Sequence, residues 1–177
     1  MSEDVASVIR EHGPFVWRVL RHLGVPTHQL PDSSQEVFVA VFRSLDRFEG
    51  RSTLRTWLYG ICRNVAATSA RNRARSREQL AEELPELAAR EEQTSVIARR
   101  ELQAGLQDAL RKLPEGMRSV FVLFELECMA MADVAAAIGC SESTAYSRLY
   151  AARENVRKHL VRVGVLDADR ELAEVLP

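Results

Sequence analysis

Apolar residues recur every three or four positions along most of the chain, and no stretch alternates convincingly as a half-buried strand does. Over 5–23, Val5, Val8, Ile9, Phe15, Val16, Val19, Leu20 and Leu23 form one stripe. A break or bend is predicted at Gly13-Pro14, and Gly24 followed by Pro26 ends the helix. A second helix runs from a cap at Asp32 to about Phe48, with Val37, Val41 and Leu45 on one face. The segment 48–51 is a loop, and Ser52 or Thr53 caps a third helix that turns Leu54, Trp57, Leu58, Ile61 and Val65 inward. This helix runs out into Arg71, Arg73, Arg75 and Arg77.

After a weakly patterned stretch, a fourth helix spans 94–113 with Leu102, Leu106, Ala109, Leu110 and Leu113 inward. Pro114 fits the first turn of the next helix, which Met117, Val120, Phe121, Leu123 and Phe124 fill. A short helix follows near 132–138, then a turn at Gly139-Cys140-Ser141 and a long helix over 143–161. The expected class is all-α, with two small helical domains: 1–77 and 94–163, joined by a linker at 78–93 and followed by a tail at 164–177.

Composition agrees. The chain has 177 residues, 46% of them apolar, and its 8 Gly and 6 Pro are few for a turn-rich β protein. No run approaches the ~20 apolar residues of a membrane span, and residues 1–10 lack a signal-peptide core, so a cytoplasmic protein is expected. The net charge of −1 hides a segregation. Residues 51–77 hold seven Arg and no acid, 78–92 hold six Glu and one Arg, and 142–162 hold five bases against two acids. Charge runs are commonly solvated helix faces. Unneutralised like charges on two separate helices point further, to a polyanionic partner.

The segment 134–145 has the spacing of a helix-turn-helix. Ala135 and Ala145 are small where the helices cross, Gly139 suits a turn needing positive φ, and Val134, Ile138 and Leu149 face inward. Ser141 or Ser143 can cap the second helix, which carries Thr144, Ser147, Arg148, Arg153, Arg157 and Lys158. Short helical hairpins with a Gly turn also occur in proteins that touch no DNA. No nucleotide-binding or hydrolase motif is present, and His12, His22, His28 and His159 do not cluster. Cys62, Cys128 and Cys140 are far apart and read as reduced, mostly buried thiols. An enzyme, a metal site and a cofactor are therefore not expected.

Asp32-Ser33-Ser34-Gln35-Glu36-Val37-Phe38 resembles the D-x-x-Q-E-V-F signature in region 2 of bacterial RNA polymerase sigma factors. The stretch 48–64 is similar to the F-x-G-x-S-x-x-x-T-W-L-x-x-I-x-R-N sequence that follows it. Leu113-Pro114-Glu115-Gly116-Met117-Arg118 resembles the L-P-x-x-x-R entry to region 4. Order, spacing and length resemble the extracytoplasmic function (group IV, sigma-70 family) factors over roughly 13–160.

The resemblance implies an alternative sigma factor that binds core polymerase and promoter DNA and helps open the promoter. Asp32, Gln35 and Glu36 would meet the β′ coiled coil, with further contacts to the β subunit. Phe48, Arg51, Ser52, Arg55, Arg63, Asn64, Arg71 and Arg73 would handle the minus-ten element, where a Gly-containing loop allows close backbone approach and arginines track phosphates. Trp57 reads as core. Ser143, Thr144, Tyr146, Ser147, Arg148 and Arg153 would read the minus-thirty-five duplex, partly through DNA shape. Tyr146 and Ala151 stand where the family often has a base, and Tyr150 could lie against DNA or pack on the domain. Glu82, Glu83, Glu86, Glu91 and Glu92 would either mimic RNA in the polymerase channels or form a soluble tether. An anti-sigma factor is an expected partner, which could tether the nucleoid-associated protein at the membrane. The alternatives are a decoy that sequesters an anti-sigma factor without binding DNA, and a stand-alone repressor.

Overall fold

The computed structural model describes residues 4–79, 94–167 and 172. Among them there are seven α-helices and no strand. Glu82, Glu83, Glu86, Glu91 and Glu92 lie outside the described residues, as does most of the tail.

The first three helices share one core. α1 (Val5–His22) is capped by Asp4, whose carboxylate accepts from the Ala6 amide at 3.4 Å. It runs through Pro14 without interruption, so of the break or bend expected there, no break occurs. A mid-helix proline costs about 3 kcal/mol. Burial of Phe15, Val16, Val19 and Leu20 just beyond it outweighs this, at about 1.5–3 kcal/mol each.

α2 (Leu30–Ser44) starts earlier than expected, after a 3-10 turn at Thr27–Gln29. Pro31 lies in its first turn and Asp32 sits one residue later. Asp32 therefore complements the helix dipole instead of capping it. α2 also ends earlier, at Ser44, whose hydroxyl donates back to the Ala40 carbonyl at 2.6 Å before a 3-10 turn at Leu45–Arg47. Val37 and Val41 are fully buried and Leu45 partly so.

α3 (Leu54–Gln79) is capped by Thr53, whose Oγ1 accepts from the Thr56 amide at 3.3 Å. Leu58 is buried as expected, while Leu54, Trp57, Ile61 and Val65 are partly covered. The deepest positions on α3 also include Tyr59 and Cys62, at 0% exposure. α3 has a second buried face because it packs on α6 as well as on α1 and α2.

The later helices gather around α7 (Glu142–Arg162), which contacts α4 (Thr94–Lys112), α5 (Glu115–Phe121) and α6 (Met131–Ile138). Between α5 and α6 the chain widens into a π-helical turn at Val122–Leu126. The turn after α6 is as expected: Gly139 adopts φ 68° and ψ 45°, which L side chains resist, and Ser141 caps α7 through the Thr144 amide. The start of the tail is more ordered than its pattern indicated. A Cβ on Gly105 would stand 3.0 Å from Leu160 and 3.4 Å from Val165, and Leu166 is buried. Of the three thiols, Cys62 is buried and its pKa is pushed up to about 12 by burial. Cys140 is half-buried, and Cys128, expected inside, is exposed. No described helix is long and apolar enough to cross a membrane.

Candidate polymerase and nucleic-acid interfaces

α2 turns Val37 and Val41 inward and leaves Asp32, Gln35 and Glu36 exposed on the opposite side. The three line an open recess shared with Val39, Arg43 and Arg47. Val39 is 42% exposed and Phe42 70%. These two apolar residues were not singled out by the sequence reading. The signal was available: positions 35, 39 and 42 follow helical spacing on the face away from the buried stripe.

A second recess lies next to the first, and Arg47 lines both. It is formed by Arg47, Phe48, Glu49, Arg51, Ser52 and Trp57, with a volume of about 290 Å³. Phe48 and Trp57 meet in it, ring centroids 5.3 Å apart and tilted by 42°. Trp57 is thus half core and half wall. Arg51 is exposed and pairs with Glu49. Gly50 at φ 67° sets the turn between them.

The remaining arginines of α3 differ in their engagements. Arg63 is half-buried and Asn64 exposed. Arg71 donates to Thr68 Oγ1 at 3.1 Å. Arg73 reaches Ser69 at 2.7 Å, Gln29 at 3.3 Å and the Gly24 carbonyl at 3.3 Å, tying α3 to the turn after α1. Arg55 lies over the Phe15 ring, 4.7 Å from its centroid, and bonds Glu127 beyond α5. Of the expected minus-ten set, Phe48, Arg51 and Ser52 line the recess, while Arg55 bonds Glu127 and Arg73 bonds Ser69, Gln29 and Gly24.

On α7, Ser143, Thr144, Tyr146 and Ser147 are exposed around the helix start. Tyr150 is 65% exposed, so it does not pack on the domain. Tyr146 rests edge-on against Phe124 at 6.5 Å. The Arg148 guanidinium lies along Gly116 of α5. Arg153 bonds Glu125 at 2.5 Å and lies 6.0 Å from the Phe124 centroid. Among the described residues no group of His, Cys, Asp or Glu could hold a metal ion.

Comparison with known proteins accounts for both halves. The Sigma-70 region 2 family matches residues 8–76, and the Sigma-70 region 4 family matches residues 103–162. The sigma-E factor of Haemophilus influenzae, an ECF RNA polymerase sigma factor, is 30% identical over 145 residues, covering 77% of each chain. The chain belongs to the ECF sigma factors of the sigma-70 family. The RNA polymerase sigma-H factor of Pseudomonas aeruginosa is 32% identical over 138 residues, 73% of this chain and 72% of that protein. The ECF sigma factor SigE of Mycolicibacterium smegmatis is 31% identical over 157 residues; the match takes in 88% of this chain but only 61% of SigE.

Two solved structures share the fold. The sigma factor RpoE of Bartonella quintana, in complex with the anti-sigma factor NepR, superposes with a TM-score of 0.69 at 22% identity, over 93% of this chain and 98% of that one. CnrH, in complex with the cytosolic domain of CnrY, gives 0.65 at 25% identity, over 94% and 89%. In this sigma factor the Leu113–Arg118 signature has a visible structural purpose: Arg118 donates to the carbonyls of Arg111 and Leu113, both at 3.0 Å, and so seals the end of α4.

Proposed function

We propose that this sigma factor, of the group IV type, binds core RNA polymerase, recognises two promoter elements and helps open the first, acting by binding and not by catalysis. A region 2 domain at 1–77 and a region 4 domain at 94–163 divide the work. Asp32, Gln35 and Glu36, with Val39 and Phe42 beside them, meet the β′ coiled coil. Phe48, Arg51 and Ser52 hold a minus-ten base, with Arg55, Arg63, Asn64, Arg71 and Arg73 along the strand. Ser143, Thr144, Tyr146, Ser147 and Arg148 face the minus-thirty-five duplex, while Arg153, first expected among them, holds Glu125. The protein works in the cytoplasm at the nucleoid, and an anti-sigma factor restrains it, as RpoE and CnrH each form a complex with a partner.

The observation that carries this reading is Arg47, which lines the acidic recess on one side and the aromatic recess on the other. A polymerase docked on α2 would then lie directly beside the base pocket. The arginine-rich α3 argues against a decoy.

Transcription in vitro with core polymerase and a promoter library, read with permanganate footprinting, tests it. Promoter-dependent transcripts and melted thymines are expected. Core binding without opening at any promoter would replace this reading with the decoy.

A further inference from the structure

The outward face of α7 begins with hydroxyls and rings, and its charges come later. Ser143, Tyr146, Ser147 and Tyr150 follow helical spacing on the side away from the buried Ala145, Leu149 and Ala152, and all four are exposed. The serine hydroxyls are engaged locally: Ser147 donates to the Ser143 carbonyl at 3.0 Å, and the Ser143 hydroxyl meets that of Ser141 at 3.1 Å. The Tyr146 ring, 42% exposed as a residue, is braced by Phe124, which the Arg153 guanidinium covers in turn. Tyr150, one turn further and 65% exposed, has no ring partner among the described residues.

This order limits what the face can read. Guanine is read by Arg or Lys and adenine by Asn or Gln, each through a two-bond fork. Residues 142–152 hold one base, Arg148, whose guanidinium lies along Gly116 of α5, and no Asn or Gln. Glu142 can accept from a cytosine amino group, but it lies about two turns before Tyr150. Asn155 is the first amide, more than a turn after Tyr150. The charged stretch follows, where Glu154 meets Arg157 at 3.4 Å and Lys158 at 3.2 Å.

The base feature left to an aromatic ring is the 5-methyl group of thymine, an apolar projection that only one base carries into the major groove. Ring carbons laid against that methyl remove apolar surface from water on both sides. Tyr146 and Tyr150 stand four residues apart, a rise of about 6 Å. That is close to two base steps of about 3.4 Å.

We propose that Tyr150 is a specificity-determining residue of this sigma factor: its ring, with that of Tyr146 one turn before, recognises thymine in the upstream duplex through the 5-methyl group. This rests on the assignment of α7 to that duplex.

The test uses holoenzyme, the full chain bound to core polymerase, and duplexes that it enriches from a randomised pool. The upstream block of an enriched duplex should hold fixed thymines. Deoxyuridine in place of one of them removes the methyl and keeps every base-pairing group. It should weaken wild-type binding about fourfold, the worth of one buried methyl. Tyr150→Ala should lose at least as much on the thymine duplex and, at one of these positions, no longer distinguish thymine from deoxyuridine. Tyr150→Phe should behave as wild type. The salt slope should be the same in all three proteins, because no phosphate contact is lost. Equal wild-type affinity for thymine and deoxyuridine at every upstream position overturns the proposal. So does a Tyr150→Ala protein that keeps every thymine preference of the wild type. A loss in Tyr150→Phe equal to that in Tyr150→Ala assigns the hydroxyl in place of the ring and overturns it too. Scrambling the upstream block tests the underlying assignment separately. If the scramble weakens binding and deoxyuridine does not, α7 stays on the duplex and only the thymine reading falls. If the scramble changes nothing, or no duplex is enriched, both fall.

Discussion

Arg118 donates a hydrogen bond at 3.0 Å to the carbonyl oxygen of Leu113, reaching back across the proline that separates two helices. A second bond from the same nitrogen goes to the Arg111 carbonyl. The last carbonyls of α4 have no helical partner, and Pro114 brings no N–H to this junction. The arginine four residues after the proline supplies the missing donor. Its half-buried guanidinium has a lowered pKa, because burial disfavours the charge, but it remains a cation.

Arg118→Ala should destabilise the protein by about 2 kcal/mol, the worth of charged hydrogen bonds to partly buried carbonyls. For a chain of this size that is a fall in Tm of roughly 4–8 °C. Lys at 118 should recover part of the loss, since it can serve one carbonyl but has no planar fork. Thermal unfolding followed by circular dichroism checks both, and an unchanged Tm in the alanine variant would mean that water replaces the arginine without cost.

Gly105 offers a steric counterpart. Helix propensity alone favours replacing it by up to about 1 kcal/mol. Leu160 and Val165 fill the space where a side chain would go. Gly105→Val should therefore cost about 1–3 kcal/mol by overpacking between α4 and α7. Chemical denaturation measures this. A stabilised variant would show that the contact relaxes freely.

Both residues bear on what could be read in advance. The helix-turn-helix was legible because each of its requirements is local: Gly139 for the left-handed turn, Ala135 and Ala145 for the close crossing, Ser141 for the cap. The outward face of α2 was legible for the same reason. Glu127 was not, because its partners lie 72 and 109 residues away and periodicity reports only which face is buried, never against what. Tyr59 and Cys62 were missed likewise: α3 buries a second face against α6, so its stripe is broader than one domain requires. At Pro14 a local rule was overridden by the burial of four neighbouring side chains. The aromatic recess was half legible, since the loop was apparent while Trp57 read as core.

His22 gives the interface a pH dependence. Its Nδ1 lies 2.7 Å from Gln107 of α4, and its pKa is lowered to about 4 by burial first, then by Arg21 and Arg18. Arg18 and Arg21 also disfavour a third positive charge there. Unfolded, the ring titrates near 6.5. Between these values the unfolded chain binds more protons, so stability is full above about pH 6.5 and falls as the pH drops toward 4. The loss should reach about 2 kcal/mol, the ring being partly exposed. His22→Gln should flatten this part of the curve. Urea midpoints measured from pH 7.5 down to pH 4.5 test the sign, and a wild type and variant that decline in parallel would dissociate the effect from His22.

Arg148 and Arg153 share α7, yet their surroundings assign them different work. Arg153 is tied to Glu125, which is only 13% exposed, and leans on Phe124. Removing it strands a largely buried carboxylate, so Arg153→Ala should cost about 1–2 kcal/mol of stability. Arg148 forms no ion pair among the described residues and rests along Gly116 near the exposed start of α7, where a duplex would approach. Arg148→Ala should leave Tm nearly unchanged. If Arg148 neutralises one phosphate, its loss should make the slope of log K against log salt shallower by about 0.9. Anisotropy of an upstream duplex fragment across a salt series, beside thermal unfolding, separates the two. The opposite result, a shallower slope with unchanged Tm for Arg153→Ala, would mean that Arg153 leaves Glu125 for the phosphate backbone when DNA binds.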